Sequence, residues 1–192
     1  MDTGSVAAAD ILDLRSALEF LASIPGQLAT TRQPVDAHAE LAAIYKRVGA
    51  GTPLAPPTRT GPALLFENVT GYGIPVVAGI LASRERTALL MGSTIERLPF
   101  DLLAALNHTC APVTVELAPC QEVVIRPPFD LRRLIPAPTH TLRDAGPYIT
   151  MGLVRARDPE TGASDVTIHR LCMQGPDTLS IYFVPEIGRA HV

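Results

Sequence analysis

Apolar residues recur at helical spacing from the eleventh position onward: Ile11, Leu14, Leu18 and Leu21, with Leu12, Ala17 and Phe20 beside them. Asp10 or Asp13 can cap this helix, and Pro25-Gly26 ends it. Residues 27–31 follow as a short strand. Asp36 can cap a second helix over 37–48, where Leu41, Ile44, Tyr45 and Val48 form the apolar stripe and Gly49-Ala50-Gly51 supplies the stop. Pro53, Pro56, Pro57 and Pro62 make 52–61 a loop. The continuous apolar run 63–66 reads as a strand covered on both faces, as in α/β domains, and 75–81 as a second. Two helices, 84–91 and 98–107, complete a predicted α/β unit over 1–110.

After Ala111 the period shortens. Residues 113–115 and 123–125 are strand-like and bounded by prolines. Residues 148–157 read as a strand, Asp158-Pro159-Glu160-Thr161-Gly162 as a tight turn, and 165–173 as the returning strand. Period two places Asp165, Thr167, His169 and Leu171 on one face and Val166, Ile168, Arg170 and Cys172 on the other. Asp, Thr, His and Arg within six residues are unusual for a core strand and point to one that lines a site. Gly175-Pro176-Asp177 turns the chain into a third strand, 178–184, so 111–192 is expected to be an antiparallel sheet or part of a barrel. That sheet would have an open edge, and the chain is expected to be part of a longer protein or to receive its other half from elsewhere.

Composition narrows the classes. The 192 residues are 47% hydrophobic and 18% charged, with a mean hydropathy of +0.22, which fits a packed core and excludes wholesale disorder. A net charge of -3 without basic clusters argues against nucleic acid or an acidic membrane surface as partner. No apolar run reaches the roughly 18 residues of a membrane span. Cys110, Cys120 and Cys172, odd in number and irregularly spaced, fit neither a disulfide framework nor a zinc ribbon. They are expected to be buried thiols of a reduced, cytoplasmic protein.

Five stretches carry a resemblance. They are Gly61-Pro62-Ala63-Leu64-Leu65-Phe66-Glu67-Asn68-Val69-Thr70-Gly71-Tyr72, Pro136-Ala137-Pro138-Thr139-His140, Asp144-Ala145-Gly146-Pro147-Tyr148-Ile149-Thr150, Asp158-Pro159-Glu160-Thr161-Gly162 and Val166-Thr167-Ile168-His169-Arg170. In this order and spacing they resemble the UbiD-type decarboxylases, which use prenylated FMN. The resemblance implies an N-terminal α/β domain over 1–110, then over 111–192 the first part of an antiparallel split β-barrel that binds the flavin. A C-terminal dimerisation domain would lie beyond. It implies reversible non-oxidative decarboxylation of an aromatic, heteroaromatic or α,β-unsaturated acid by the complete protein, with the 192-residue chain alone inactive. The alternative is a non-catalytic flavin- or partner-binding subunit of a multi-subunit carboxylase. Prenylated FMN, a divalent Mn or Mg ion and K+ are the implied cofactors. A carboxylic acid substrate, a second copy of the protein and a prenyltransferase that supplies the cofactor are the implied partners.

The same resemblance assigns residues. Asp165 stands where the family has an asparagine metal ligand, and either side chain offers the oxygen that a hard cation prefers; the bland alternative is a turn cap. His191 matches a metal-binding histidine. Arg170 matches the arginine beside flavin and substrate carboxylate, a role its planar donor fork suits; a surface ion pair is the alternative. Thr150, Thr167, Ile168 and His169 match positions that approach the cofactor, although His169 also fits an ordinary strand histidine. The catalytic glutamates and a third metal ligand are expected beyond Val192. Regular strand geometry puts Asp165 and Arg170 on opposite faces, so either a bulge intervenes or the two serve different parts of a large cofactor.

Overall fold

A computed structural model describes residues 11–48 and 61–182. The expected loop at 52–61, the end of the third strand and His191 lie wholly or partly outside them. The chain forms two compact units that interleave along the sequence. One takes the described residues within Met1–Gln33, Ile44–Glu67 and Val76–Arg126, the other those within Pro34–Ala43, Asn68–Pro75 and Pro127–Val192.

In the first unit, α1 (Leu14–Ala22) starts at Asp13. The Asp13 carboxylate accepts from the Ser16 backbone N–H at 2.8 Å, and the Ser16 hydroxyl accepts from the Asp13 N–H at 3.0 Å. Two otherwise orphaned donors are thereby satisfied reciprocally. The helix buries Ala17 and Leu21. β1 (Leu28–Thr31) runs parallel to β2 (Ala63–Phe66), which pairs antiparallel with β3 (Val76–Ala78). Ala63, Leu64 and Phe66 are buried, as the unbroken apolar run requires of a central strand. The helices α3 (Arg84–Leu90) and α4 (Leu98–Leu106) also belong here, whereas α2 (Glu40–Val48) passes from the second unit into the first.

A buried cation ties this unit together. Arg86, on α3, is only 1% exposed. Its guanidinium donates to the carbonyl of Gly79 at 2.6 Å and to that of Gly61. Burial pushes its pKa down from the ordinary arginine value, against the opposing pull of Tyr45 and Glu85. The Tyr45 hydroxyl presses on Gly79, where a Cβ would lie 2.2 Å from it and where φ is +74°. Glycine is required there on both counts.

Three expectations fail in physically instructive ways. The helix over 37–48 begins only at Glu40. Ala39 adopts φ +66° while its N–H donates to the Thr139 carbonyl at 2.7 Å, so the chain is drawn into a bridge with 137–139 before it can coil. Asp36 still organises this entry, accepting from the His38 N–H at 2.8 Å. The strands expected at 113–115 and 123–125 do not form; only a 3-10 turn, Pro119–Gln121, is regular. Val113 is 85% exposed. No described strand lies alongside to accept pairing, and Pro112, Pro119, Pro127 and Pro128 remove ladder donors. Cys110 and Cys120 are exposed, and Cys172 alone of the three is buried.

The second unit holds a short helix, α5 (Leu131–Leu134), and an antiparallel sheet in the order β4 (Tyr148–Arg157), β5 (Ser164–Met173), β6 (Leu179–Ile181). Val35 bridges Val69 and His38 bridges Thr139, and the Tyr72 hydroxyl donates to the Arg132 carbonyl at 2.6 Å. Among the described residues no helix is long and apolar enough to cross a membrane.

Arg86→Ala strips two carbonyls of their donor and opens a cavity. A loss of at least about 2 kcal/mol is expected, read as a lowered midpoint in denaturant unfolding. An unchanged midpoint would mean that the guanidinium contributes nothing net.

Candidate functional site

The β4–β5 hairpin is pinned at its turn. Asp158 accepts from the N–H groups of Glu160 and Thr161 at 2.7 and 3.3 Å and from the Thr161 hydroxyl at 2.8 Å. These donors, the hydroxyl foremost, hold its carboxyl below the usual aspartate range. Gly162, at φ +73°, closes the turn. From there the strands pair in strict register: Arg157 with Ser164, Ala156 with Asp165, Arg155 with Val166, Val154 with Thr167, Leu153 with Ile168 and Gly152 with His169.

Then the register slips. Beyond the irregularity Ile149 pairs with Leu171 and Tyr148 with Cys172, so Thr150 and Met151 together oppose Arg170 alone. Two residues against one is a β-bulge, a device that re-aims side chains and recurs beside functional sites. The exposure along β4 records it, with Thr150 and Met151 both exposed where alternation would hide one. Gly152 makes the arrangement possible. A Cβ there would come within 2.8 Å of Leu171 Cδ1 and 3.3 Å of the His169 carbonyl.

The bulge lies in β4, and β5 itself stays regular, with exposure alternating from Ser164 to Leu171. Asp165, Thr167 and His169 therefore share the half-buried face, and Val166, Ile168 and Arg170 the exposed one. Hydrophobicity is inverted relative to burial: Leu153 and Ile168, a directly opposed pair, are 72% and 53% exposed. Val166 and Met151 extend that apolar strip. Arg170 stands at its end next to Thr150. Among the described residues no carboxylate pairs with it. An unpaired guanidinium at the end of an apolar strip can take a planar anion whose body is apolar.

Of the residues expected to act together, the structure brings Thr150, Ile168 and Arg170 to one face and Asp165, Thr167 and His169 to the other. The Asp165 carboxylate accepts from the Val166 N–H at 2.8 Å and takes no part in the turn, which Asp158 caps. Among the described residues no group of three His, Cys, Asp or Glu side chains could hold a metal ion. Met151 and Gly152 escaped the sequence reading, although an isolated glycine within a strand pattern is itself a bulge signal.

Comparison with known proteins adds a second line of evidence. Residues 22–106 match the 3-octaprenyl-4-hydroxybenzoate carboxy-lyase N-terminal domain, and 112–192 match the Rift-related domain of the same family, UbiD. The gallate decarboxylase of Lactiplantibacillus plantarum is 39% identical over 186 residues, covering 94% of this chain and 38% of the relative. The 3,4-dihydroxybenzoic acid decarboxylase of Klebsiella pneumoniae, solved in its apo form, is 45% identical with a TM-score of 0.86, over 94% of this chain and 38% of that one. The UbiD-class enzyme HmfF of Pelotomaculum thermopropionicum, solved with prFMN, is 39% identical with a TM-score of 0.75, over 90% and 38%. The chain thus spans less than two-fifths of the length of these relatives.

Gly152→Ala tests the bulge. The new methyl must push Leu171 or the His169 carbonyl aside, and overpacking of this kind costs about 1–3 kcal/mol. A lowered melting temperature of the full-length protein is expected; an unshifted one would show that the approach of the strands there is not tight.

Proposed function

The chain belongs to the UbiD family of carboxy-lyases, and from that membership we propose that the complete protein catalyses the reversible, non-oxidative decarboxylation of an aromatic carboxylic acid with prenylated FMN. Arg170 carries this reading: a guanidinium with no carboxylate partner among the described residues, at the end of the apolar strip of Leu153, Ile168 and Val166. The gallate and dihydroxybenzoic acid decarboxylases among its relatives favour hydroxylated benzoic acids as the substrate class.

The described residues fit the flavin and its substrate in kind. The strip offers an apolar bed for flat rings, and Thr150 and Arg170 offer polar groups at its end. When bound, prenylated FMN would supply the electron sink for the negative charge left on the ring carbon as carbon dioxide departs. Arg170 would bind and orient the substrate carboxylate through its planar fork. Thr150 and Ile168 would flank the flavin on that face, and Thr167 and His169, whose side chains lie on the other face, would approach it through backbone groups.

For the divalent ion, which we propose to be Mn or Mg with K+ nearby, the fit is partial. Asp165 is a hard-oxygen donor of the right chemistry. His191, its proposed companion, lies outside the described residues, so no ligand set is assembled. We further propose that β4–β6 begin a split barrel spanning 111–192, after an N-terminal domain over 1–110, and that catalysis needs an acid contributed by the rest of the protein. Dimerisation, a cytoplasmic location and a prenyltransferase supplier belong to the same proposal.

Arg170→Ala in the full-length protein removes a charge-assisted hydrogen bond of roughly 1.5–3 kcal/mol. A fall in kcat/KM of about tenfold to a hundredfold is expected, with flavin and metal content unchanged, and Arg170→Lys should not restore full activity. Steady-state decarboxylation of 3,4-dihydroxybenzoate, with cofactor occupancy measured alongside, is the test. Normal turnover in Arg170→Ala at full occupancy would refute the assignment.

A further inference from the structure

We infer that Tyr148 is a positioning residue for Arg170, its ring backed by the buried side chain of Cys172 opposite it. The inference rests on the functional reading of Arg170 above, and three features of the hairpin carry it.

The first is register. Tyr148 is directly opposite Cys172, two residues beyond Arg170 on β5. Side chains alternate along a strand, so Arg170 and Cys172 share a face, and Tyr148 lies beside both. The bulge sits between Ile149 and Gly152, and it sets Thr150 and Met151 opposite the same arginine.

The second is the anchor. Cys172 is 3% exposed. Its sulfur accepts from the Gln174 amide at 3.1 Å, and Tyr148 stands directly opposite it in the ladder. Gly146 closes the wall behind: a Cβ there would lie 3.3 Å from the Cys172 sulfur and 3.2 Å from the Met173 carbonyl. The backbone is held too, since the Tyr148 N–H donates to the Pro138 carbonyl at 3.0 Å and the Met173 N–H to that of Pro147 at 2.9 Å. The ring has little freedom to move.

The third is charge. The phenol's pKa is raised above the ordinary tyrosine value, by the Cys172 side chain foremost and by the Asp144 carboxylate as well, against the opposing pull of the Arg170 guanidinium. Asp144 is itself fixed by the N–H groups of His140 and Thr141 and by the Thr141 hydroxyl. A neutral, immobile ring beside a flexible guanidinium limits the directions in which Arg170 can point, without neutralising it.

The experiment uses the flavin-loaded full-length protein with 3,4-dihydroxybenzoate as probe. Four variants are compared: Tyr148→Phe, Cys172→Ala, Arg170→Ala and the double variant Tyr148→Phe/Arg170→Ala. The dissociation constant of the acid, kcat/KM, flavin content and melting temperature are measured. Tyr148→Phe is expected to weaken acid binding and lower kcat/KM by about fivefold to tenfold at full flavin content, and to add nothing in the Arg170→Ala background. Cys172→Ala removes the side chain that backs the ring without altering the ring itself and must reproduce the loss, which keeps the test decisive if Tyr148→Phe folds poorly. Unchanged binding in both single variants, or losses that add to that of Arg170→Ala, would overturn the inference. If Arg170→Ala is impaired and these variants are not, only this inference fails. If Arg170→Ala is itself normal, the functional reading fails and takes the inference with it.

Discussion

Two residues of β4, Thr150 and Met151, occupy the space that a regular ladder gives to one, opposite Arg170. The site depends on that count. On the turn side the register is held by the Asp158 cap and the Leu153–Ile168 pair; on the far side it is held by the pairing of Tyr148 with Cys172. Neither half can slide to absorb the extra residue, because a one-residue slip would turn every β5 side chain to the opposite face. The mismatch is therefore localised at Arg170, and the absence of a Cβ at Gly152 lets the strands close immediately beyond it. A general feature of sheets thus places a cation among apolar side chains.

The two units hold a guanidinium in opposite ways. Arg86 is buried and its two terminal nitrogens meet backbone carbonyls, so its charge serves the interior of its unit. Arg170 is exposed and, among the described residues, has no carboxylate partner. Burying an unpaired charge is costly, which is why Arg86 meets carbonyl oxygens. Leaving one uncommitted costs little at an exposed position and keeps it available for an anion.

Elements whose signal is local were legible in the sequence. The run 63–66 and the span 148–157 emerge with the boundaries expected of them, and Asp13 is one of the two caps foreseen for α1. The alternation of 165–173 correctly separated Asp165, Thr167 and His169 from Ile168 and Arg170, because a period of two needs no tertiary information. What was lost depends on distant partners. The strand-like segments 113–115 and 123–125 have suitable side chains but nothing described to pair with. The delayed start of α2 is set by the bond from Ala39 to Thr139, a hundred positions away in the sequence. The bulge arises from a mismatch between two strands, which neither strand shows alone; Gly152 hinted at it, but the choice between a bulge and separate roles for Asp165 and Arg170 stayed open. In the structure a bulge is present, yet it lies in β4 and leaves those two residues on opposite faces.

The most direct measurement is the crystal structure of the full-length protein soaked with 3,4-dihydroxybenzoate. If the bulge serves to present Arg170 to an acid, a carboxylate oxygen will lie within about 3.2 Å of its guanidinium, with the aromatic ring toward the side of Leu153 and Ile168. A carboxylate bound elsewhere, with Arg170 turned to solvent or to a protein carboxylate, would contradict the account.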